Sequence, residues 1–211
     1  MTAVIFDCDG TLVDSEPLAA VAWVRALAPY GYAPTDADTE ASVGLPYPRV
    51  HAYYAERAEL PAVEPFWTEL STELFALIDR ELVVFEDAVG AARELRARGV
   101  PVAVASSSPR ERLRRTLGRA GLLDAFDVTV SGDEVANGKP APDMFLLAAE
   151  RLGVAPSACV AIEDSPPGVA SAVAAGMTTI GIVRVPGTEA SLAAAHVVVD
   201  SLSADSILSH A

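Results

Sequence analysis

Acidic, hydroxyl and lysine side chains follow several short apolar runs of this sequence, where the carboxyl ends of parallel strands would place catalytic groups. The set comprises Asp7 and Asp9, Ser106 and Ser107, Lys139, and Glu163 and Asp164. Acids that crowd together repel one another and raise each other's pKa, and a hard divalent cation with oxygen ligands removes that cost. We therefore expect the acids of this group to bind Mg²⁺ beside a phosphate.

The spacing of Asp7 and Asp9 suits phosphoryl transfer. Alternate side chains of an extended segment point to the same side, so both carboxylates can face one ligand. One carboxylate can attack phosphorus, while the other carries a proton to and from the leaving group. Gly10 allows the backbone to turn close beside that ligand. The pair is therefore a candidate catalytic centre.

The hydroxyl and lysine residues are candidate ligands of the phosphoryl group. Ser106 can donate a hydrogen bond to a phosphoryl oxygen, and the backbone N–H groups of Cys8 and Ser107 can add more. Lys139 can neutralise charge on the nucleophile and on the transferring group. These groups come from separate segments, so only a common sheet edge would bring them together.

Each segment also has an ordinary explanation when it is taken alone. Asp7-x-Asp9-Gly10 could be a turn, and the serines at 106–108 before Pro109 could cap a helix. Lys139 could be a surface lysine, and Glu163-Asp164 could lie in a solvated loop or cap a helix. The joint placement of these segments favours the catalytic interpretation.

The elements that must position these groups follow from the hydrophobic periodicity. The first run, residues 3–7, predicts a buried strand, and residues 16–80 carry only helical patterns. Predicted helices in that stretch are 17–27, 47–58 and 65–79. Later predicted strands are 100–106, 126–131, 159–162, 178–183 and an edge strand at 196–199. Helices predicted between them are 87–98, 109–120, 141–152 and 168–175.

This alternation predicts an α/β fold, a doubly wound and mostly parallel Rossmann-like core with helices on both faces. Residues 1–14 and 83–211 would form the core, and residues 15–82 a small helical insertion after the first strand. In such sheets ligands bind at the carboxyl ends of the strands, where the candidate residues stand.

Composition narrows the class of partner. The net charge of −14 opposes binding to nucleic acid or to anionic membranes, so we expect neither. The first residues have no basic region, and the apolar stretch around 18–28 is interrupted by Arg25, so we expect a cytoplasmic protein. The sequence leaves the oligomeric state open, and we expect a monomer. Cys8 and Cys159 lie in apolar runs and are expected to be small buried side chains.

Four segments, in this order, match signature motifs of one family. They are Phe6-Asp7-Cys8-Asp9-Gly10-Thr11-Leu12-Val13-Asp14-Ser15-Glu16, Ala105-Ser106-Ser107-Ser108, Gly138-Lys139-Pro140-Ala141-Pro142-Asp143 and Ile162-Glu163-Asp164-Ser165. The chain resembles the haloacid dehalogenase superfamily, and within it the subgroup of small sugar-phosphate phosphatases and β-phosphoglucomutase. The resemblance extends over nearly the whole sequence.

The resemblance implies a role for each acid. Asp7 would be the nucleophile and a metal ligand. Asp9 would be the general acid and base, with its backbone carbonyl also binding Mg²⁺. Asp164 would complete the protein ligands of the metal, joined by Glu163 directly or through water.

The resemblance also implies how substrate is held. Ser106 and Lys139 would hold the phosphoryl group. The insertion at 15–82 is similar to the helical cap of this family, which closes over the site and selects the substrate. The expected function is Mg²⁺-dependent hydrolysis of a small phosphomonoester, a sugar or polyol phosphate, through a phospho-aspartyl intermediate.

The main alternative is a hexose phosphate mutase of the β-phosphoglucomutase type. Trp23 matches a tryptophan of the mutase cap, but Ala19 stands where the mutases have a histidine. The mutases also carry an arginine three residues after a glycine, whereas Gly44 is followed at that distance by Tyr47, with Arg49 two residues later. Trp23, Gly44 and Arg49 are weaker candidates for substrate contact, since the first could pack inside the insertion and the last could face solvent.

Two further classes are less consistent with the sequence. Haloacid dehalogenases lack an acid equivalent to Asp9 and need no metal, so Asp9, Glu163 and Asp164 argue against that reaction. Receiver domains, which accept a phosphoryl group without turnover, also cluster acids and a lysine at strand ends. A receiver needs neither a proton shuttle at Asp9 nor a helical insertion of this size.

Overall fold

The computed structural model describes residues 2–42 and 47–211, with Glu40 described by its backbone alone. The chain folds as two units, one of Met1–Asp14 with Val83–Ala211 and one of Ser15–Leu82. We call the first the α/β unit and the second the helical unit. Across the described ranges, no helix is both long and apolar enough to span a bilayer.

The strands and helices alternate in the α/β unit, whereas the helical unit contains helices alone among its described residues. In chain order they are β1 (Ala3–Phe6), β2 (Val13–Asp14), α1 (Glu16–Leu27), α2 (Asp36–Ser42), α3 (Tyr47–Ala55), α4 (Val63–Glu81), β3 (Val83–Val84), α5 (Glu86–Ala97), β4 (Val102–Ser106), α6 (Arg110–Arg119), β5 (Val128–Ser131), α7 (Asp143–Leu152), β6 (Cys159–Glu163), α8 (Pro166–Ala174), β7 (Thr178–Ile182), β8 (Val197–Val199) and α9 (Ala204–Leu208).

The large sheet is parallel and has the order β5-β4-β1-β6-β7-β8 in the described chain. Phe6 of β1 pairs with Val104 of β4 on one side and with Ile162 of β6 on the other. The chain builds β4 and β5 outward from β1, then crosses back to place β6 on the opposite side. Because the direction of winding reverses beside β1, the carboxyl ends of β1, β4 and β6 border one crevice. The predicted α/β fold class is confirmed.

The central strands are apolar along their whole length, as expected for parallel strands covered on both faces. Every residue of β1, β4 and β6 is buried. On one face, small side chains such as Ala103 and Ala105 let Met144 and Phe145 of α7 pack closely against the sheet. This packing fixes the loop that precedes α7, which carries Lys139.

The helical unit is held together by apolar stripes and aromatic rings. Phe66, Leu70, Leu74 and Leu77 of α4 are buried at helical spacing, as the sequence predicts. The Trp23 ring of α1 lies 5.7 Å from that of Phe66, centroid to centroid. Aromatic contacts of this kind stabilise a small core beyond the area they bury.

Four of these elements were not predicted, each for a physical reason. The strands β2 and β3 pair antiparallel through only two residues each, which is too short for a periodicity to register. The five-residue helix α9 is similarly short. The helix α2 has no apolar stripe, so its polar sequence gives no hydrophobic period. The remaining helices and strands begin and end within about three residues of their predicted positions, the usual scatter of helix ends.

Polar interactions at Asp38 stabilise the start of α2. Asp38 is buried, and its Oδ2 accepts hydrogen bonds from the Thr35 backbone N–H (2.8 Å), the Thr35 hydroxyl (2.7 Å) and the Tyr32 hydroxyl (2.9 Å). Its Oδ1 accepts from the Tyr53 hydroxyl at 2.8 Å. Thr35 Oγ1 in turn accepts from the Asp38 N–H at 3.2 Å, which completes a capping box. These donors, led by Thr35, lower the pKa of Asp38 below its usual range.

We expect Asp38→Asn to destabilise the helical unit at neutral pH, because an amide accepts these hydrogen bonds less strongly than a carboxylate. The folded-state pKa of Asp38 is below its unfolded-state value. Its contribution is therefore complete above about pH 5 and is lost as the pH falls through the folded-state pKa. Urea unfolding followed by tryptophan fluorescence measures this unit, since Trp23 and Trp67 both lie in it.

Asp36→Asn is the matched control, because Asp36 is an exposed acid in the first turn of the same helix. It should shift the urea midpoint much less than Asp38→Asn at pH 7. A midpoint difference between Asp38→Asn and wild type that stayed unchanged down to about pH 2 would contradict the ionised state of Asp38.

Candidate active site

The residues of the candidate site meet at the carboxyl ends of β1, β4 and β6. Asp7 directly follows β1, while Ser106 and Glu163 are the last residues of β4 and β6. Lys139 reaches them from the loop before α7. The topology of the sheet therefore brings together segments that lie far apart in the sequence.

Lys139 is the buried cation of the site. Its Nζ donates a hydrogen bond to Asp7 Oδ1, a second to Glu163 Oε1 at 2.6 Å and a third to the Ala105 carbonyl at 3.1 Å. The side chains of Lys139 and Asp7 are 7% and 8% exposed, and that of Glu163 is fully buried. All three ammonium protons thus have acceptors, which fixes the position of the lysine.

Glu163 is locked on its other side by the start of α8. Its Oε2 accepts from the Asp164 N–H (3.1 Å), the Ser165 N–H (3.2 Å) and the Ser165 hydroxyl (3.0 Å). A Cβ on Gly168 would lie 1.9 Å from this carboxyl group, so the glycine makes room for it. Both carboxylate oxygens of Glu163 therefore accept hydrogen bonds, one from Lys139 and the other from the loop that follows β6. Its expected role as a metal ligand stays a prediction.

Asp164 is held by the turn that follows β1. The Thr11 hydroxyl donates to Asp164 Oδ1 at 3.0 Å. The same turn closes when the N–H groups of Leu12 and Val13 donate to the Cys8 carbonyl at 2.9 and 3.1 Å. Gly10 has a φ of +89°, and a Cβ there would lie 2.1 Å from Asp164 Oδ2. Gly10 is therefore required both by the backbone conformation and by the closeness of the acid.

Asp9 is held by groups from the β4–α6 segment. Its Oδ2 accepts from the hydroxyls of Ser106 (3.2 Å) and Ser108 (2.8 Å), and its Oδ1 from Arg112 at 3.1 Å. The Ser108 N–H donates in turn to Ser106 Oγ at 3.1 Å. Asp9 is thus placed beside Ser106, an expected ligand of the phosphoryl group, and its carboxylate is bound by three side chains.

The segment that carries the serines is braced from β5. Ser107 is exposed, and its carbonyl packs against Gly132, where a Cβ would lie 2.3 Å from the Ser107 oxygen. The Gly132 N–H donates to the Ser108 carbonyl at 3.0 Å. Gly132, directly after β5, therefore fixes the backbone path of residues 106–108.

Burial first, and the neighbouring acids second, raise the pKa values of the acids at the site. Burial raises the pKa of Asp7 well above its usual value; Glu163 and Asp164 add to this, and Lys139 opposes it. Burial and Glu163 raise the pKa of Asp164 to about 7. Burial would lower the pKa of Lys139, but Asp7 and Glu163 outweigh it and raise that pKa. The ammonium of Lys139 is bonded to two carboxylates, those of Asp7 and Glu163, and Asp164 adds a third beside them. A further cation would balance the charge.

The donor set fits a hard divalent cation. Asp7, Glu163 and Asp164 each offer a carboxylate oxygen, and these oxygens lie within 4.8 Å of one another. All three ligands are oxygens, which Mg²⁺ prefers, and none is a thiolate or imidazole. The Asp9 carboxylate is not part of this group, so its expected metal contact would come from the backbone carbonyl, as the resemblance implies.

The weaker candidates lie in the helical unit. Trp23 is half-buried, with its ring centroid 5.0 Å from that of Tyr54 and 6.1 Å from that of Tyr47, which supports the packing alternative. Arg49 is exposed on α3. Gly44 lies outside the described residues. The roles of Trp23, Gly44 and Arg49 in substrate binding stay predictions.

Thr11, Ser108 and Arg112 contact the candidate acids, although none of them had a predicted role. Thr11 could have been found, because its hydroxyl follows directly on Asp7-x-Asp9-Gly10. Arg112 could not, since α6 carries five arginines and the sequence does not tell which one faces Asp9.

Comparison with known proteins defines the class. Residues 1–176 match the model of the haloacid dehalogenase-like hydrolase family. The chain belongs to this family. The match includes the segments that carry all of the candidate catalytic residues.

The most similar proteins include phosphatases. The chain is 37% identical to a phosphorylated carbohydrates phosphatase of Thermotoga maritima, over 87% of this chain and 86% of that one. It is 33% identical to a bifunctional riboflavin kinase/FMN phosphatase of Arabidopsis thaliana, over 95% of this chain but only 53% of that protein's length. A family hydrolase of Deinococcus radiodurans R1, solved with bound phosphate and sodium, is 35% identical with a TM-score of 0.72, covering 99% and 93% of the two chains.

These findings confirm the resemblance to the phosphatase subgroup and the expected enzyme class, a phosphoric monoester hydrolase. The candidate residues of the sheet edge are brought together as described, and their catalytic roles stay predictions.

We expect Gly10→Ala to weaken divalent-cation binding at least about tenfold, because its Cβ would displace Asp164. Isothermal titration calorimetry with Mg²⁺ or Mn²⁺ measures the affinity. Gly187→Ala is the matched control, since Gly187 has the same φ of +89° and nothing within 4 Å of a Cβ. Both variants carry backbone strain of roughly 1–2 kcal/mol, but only Gly10→Ala should lose affinity. Equal affinities in the two variants would argue against a cation at Asp164.

Proposed function

We propose that this protein hydrolyses small phosphomonoesters with Mg²⁺, through a phospho-aspartyl intermediate on Asp7. The observation that carries the proposal is the buried hydrogen-bonded group of Lys139, Asp7 and Glu163, with Asp164 alongside. This lysine and the two acids it holds lie at the carboxyl ends of β1, β4 and β6, where ligands bind in sheets of this kind. This arrangement suits a site that must hold an anionic group beside a carboxylate nucleophile.

Two kinds of group would bind the substrate phosphate: positive charges and hydrogen-bond donors. Lys139 would contact the transferring phosphoryl group while still holding Asp7. The Ser106 hydroxyl and the backbone N–H of Ser107 would donate to phosphoryl oxygens. Asp7, Asp164 and the Asp9 carbonyl would hold Mg²⁺, with Glu163 directly or through water. When bound, Mg²⁺ would offset the charge that gathers between nucleophile and phosphate.

The chemistry would proceed in two balanced steps. Asp7 attacks phosphorus and the bond from phosphorus to the alcohol oxygen breaks, while Asp9 donates its proton to that oxygen. Asp9, now a carboxylate, then takes a proton from water, which attacks the phosphorus of the aspartyl phosphate. Inorganic phosphate leaves, and the carboxylate of Asp7 and the acid form of Asp9 are restored.

The substrate class is proposed from the relatives. The Thermotoga maritima relative is named for phosphorylated carbohydrates, and the Arabidopsis thaliana relative includes an FMN phosphatase. A polyol or sugar carrying one phosphate is common to both, since the phosphate of FMN is attached to a ribityl chain. We assign substrate selection to the helical unit, Ser15–Leu82, acting as a cap. We further propose that the protein works as a cytoplasmic monomer, without nucleic acid or membrane partners.

We expect Asp7→Asn to reduce phosphate release from a sugar phosphate panel to below about one thousandth of wild type, because the amide is a poor nucleophile. Removal of Mg²⁺ with a chelator should have the same effect and be reversed by added Mg²⁺. Asp124→Asn, a change at an exposed acid after α6, is the control and should keep full activity. Wild-type turnover by Asp7→Asn would refute the mechanism.

Asp9→Asn should separate the two steps. With p-nitrophenyl phosphate, whose leaving group needs no proton, this variant should still phosphorylate Asp7 but hydrolyse the intermediate about 10²–10⁴-fold more slowly. Mass spectrometry should then detect a gain of about 80 Da on the peptide that contains Asp7. Asp7→Asn should show no such gain. Rapid release of phosphate by Asp9→Asn, without accumulation of phosphoprotein, would exclude Asp9 as the general base.

The mutase alternative predicts a different product. A hexose phosphate mutase would interconvert glucose 1-phosphate and glucose 6-phosphate faster than it releases phosphate. We expect release to dominate, because Ala19 and Tyr47 replace the histidine and arginine of the mutases. Phosphorus NMR of the reaction mixture distinguishes the two outcomes directly.

A further inference from the structure

Arg184 lies in the loop after β7 and has no role in the proposed reaction. Its side chain is 12% exposed. One guanidinium nitrogen, Nη1, donates to Asp87 Oδ2 at 3.0 Å, and the other, Nη2, donates to the Thr11 carbonyl at 2.9 Å. The guanidinium also lies over the Phe85 ring, 4.1 Å from its centroid. Three contacts of different kinds fix the position of this side chain.

The turn of residues 8–13, which we call the Thr11 turn, connects Arg184 to the candidate metal site. The Thr11 carbonyl is held by Arg184, while the Thr11 hydroxyl donates to Asp164 Oδ1 at 3.0 Å. One residue thus receives a hydrogen bond through its backbone and gives one through its side chain. Since Thr11 is fully buried, the two interactions are coupled through a residue with little freedom to rotate.

The rest of the contact set anchors Arg184 to the fold. Asp87 lies in the first turn of α5, and its Oδ2 also accepts from the Leu202 N–H at 3.0 Å. The Phe85 N–H donates to the Leu12 carbonyl at 2.9 Å. The ring under the guanidinium therefore belongs to the residue between β3 and α5, whose backbone is bonded to the same turn. Arg184 therefore links the Thr11 turn to α5 and to the segment that re-enters the α/β unit.

We propose that Arg184 is a positioning residue of the metal site, which holds the Thr11 turn so that the Thr11 hydroxyl orients Asp164. The inference rests on the proposed function, because it assigns Arg184 to the Mg²⁺ that this function requires. Hydrogen-bond partners that orient a metal ligand typically change metal affinity about 10–100-fold when they are removed.

The geometry requires arginine at this position. The two terminal nitrogens of a guanidinium point in fixed, divergent directions and can serve Asp87 and the Thr11 carbonyl at the same time. Its planar face can also lie flat on the Phe85 ring. A lysine keeps the charge but offers a single nitrogen, so it can reproduce only part of this arrangement.

The test uses Arg184→Lys and Thr11→Val in the 211-residue chain. Thr11→Val keeps the shape of the side chain and removes only the hydroxyl that orients Asp164. Both variants should raise the dissociation constant for Mg²⁺, measured by titration calorimetry without substrate, about tenfold. The double variant should lose little more than either single one, because both act on the same link. At saturating Mg²⁺ the KM for p-nitrophenyl phosphate should stay near the wild-type value.

Arg98→Lys is the matched control. Arg98 makes an exposed ion pair with Asp205 at 2.6 Å, far along the chain from Thr11, and its replacement by lysine also retains the charge. This variant should bind Mg²⁺ like wild type. A thermal melt of each variant separates a loss of stability from a loss of metal affinity.

Two results would overturn the inference. One is a Mg²⁺ dissociation constant within about twofold of wild type in folded Arg184→Lys and Thr11→Val. The other is a full additive loss in the double variant, which would show that the two residues act separately. If Arg184→Lys fails to fold, Thr11→Val alone still decides whether the hydroxyl orients Asp164. Failure of the proposed function is distinguished by Asp7→Asn, which tests turnover and leaves Arg184 unchanged.

Discussion

A single buried ammonium shared between carboxylates is the interaction on which the rest of the site depends. Lys139 donates to Asp7, to Glu163 and to the Ala105 carbonyl, so it ties β1, β4 and β6 at their common edge. Burying charge is costly unless partners and hydrogen bonds compensate it. Here the compensation is incomplete, because Asp164 adds a further carboxylate. A site with more carboxylates than cations is stabilised when it binds a cation.

The topology of the sheet makes that interaction possible. The chain reverses its winding direction at β1, so the carboxyl ends of three adjacent strands are supplied by segments around residues 7, 106 and 163. Glycines complete the arrangement by leaving space. A side chain at Gly10 would overlap Asp164, and one at Gly168 would overlap Glu163. The positions of the acids are thus set by close backbone packing as well as by their own hydrogen bonds.

The sequence predicts the candidate residues better than it predicts their partners. Asp7 and Lys139 could be placed together because the order of strands and helices fixes which strand ends meet. The contact between Asp9 and Arg112 could not be predicted, since it depends on the rotation of α6 about its axis. The helix α2 was missed because its sequence has no hydrophobic period. Its start is stabilised by polar capping between Thr35 and Asp38. Apolar patterns encode layers, whereas specific polar pairs depend on tertiary geometry.

The short ribbon of β2 and β3 has a consequence for how this architecture diversifies. Val13 is paired with Val84, and Asp14 with Val83, so the two ends of the helical unit leave and return on adjacent antiparallel strands. A tight turn of two residues can join such strands. The helical unit therefore occupies a position where a hairpin loop would suffice. An insertion at such a point can be lengthened, shortened or exchanged without altering the path of the sheet.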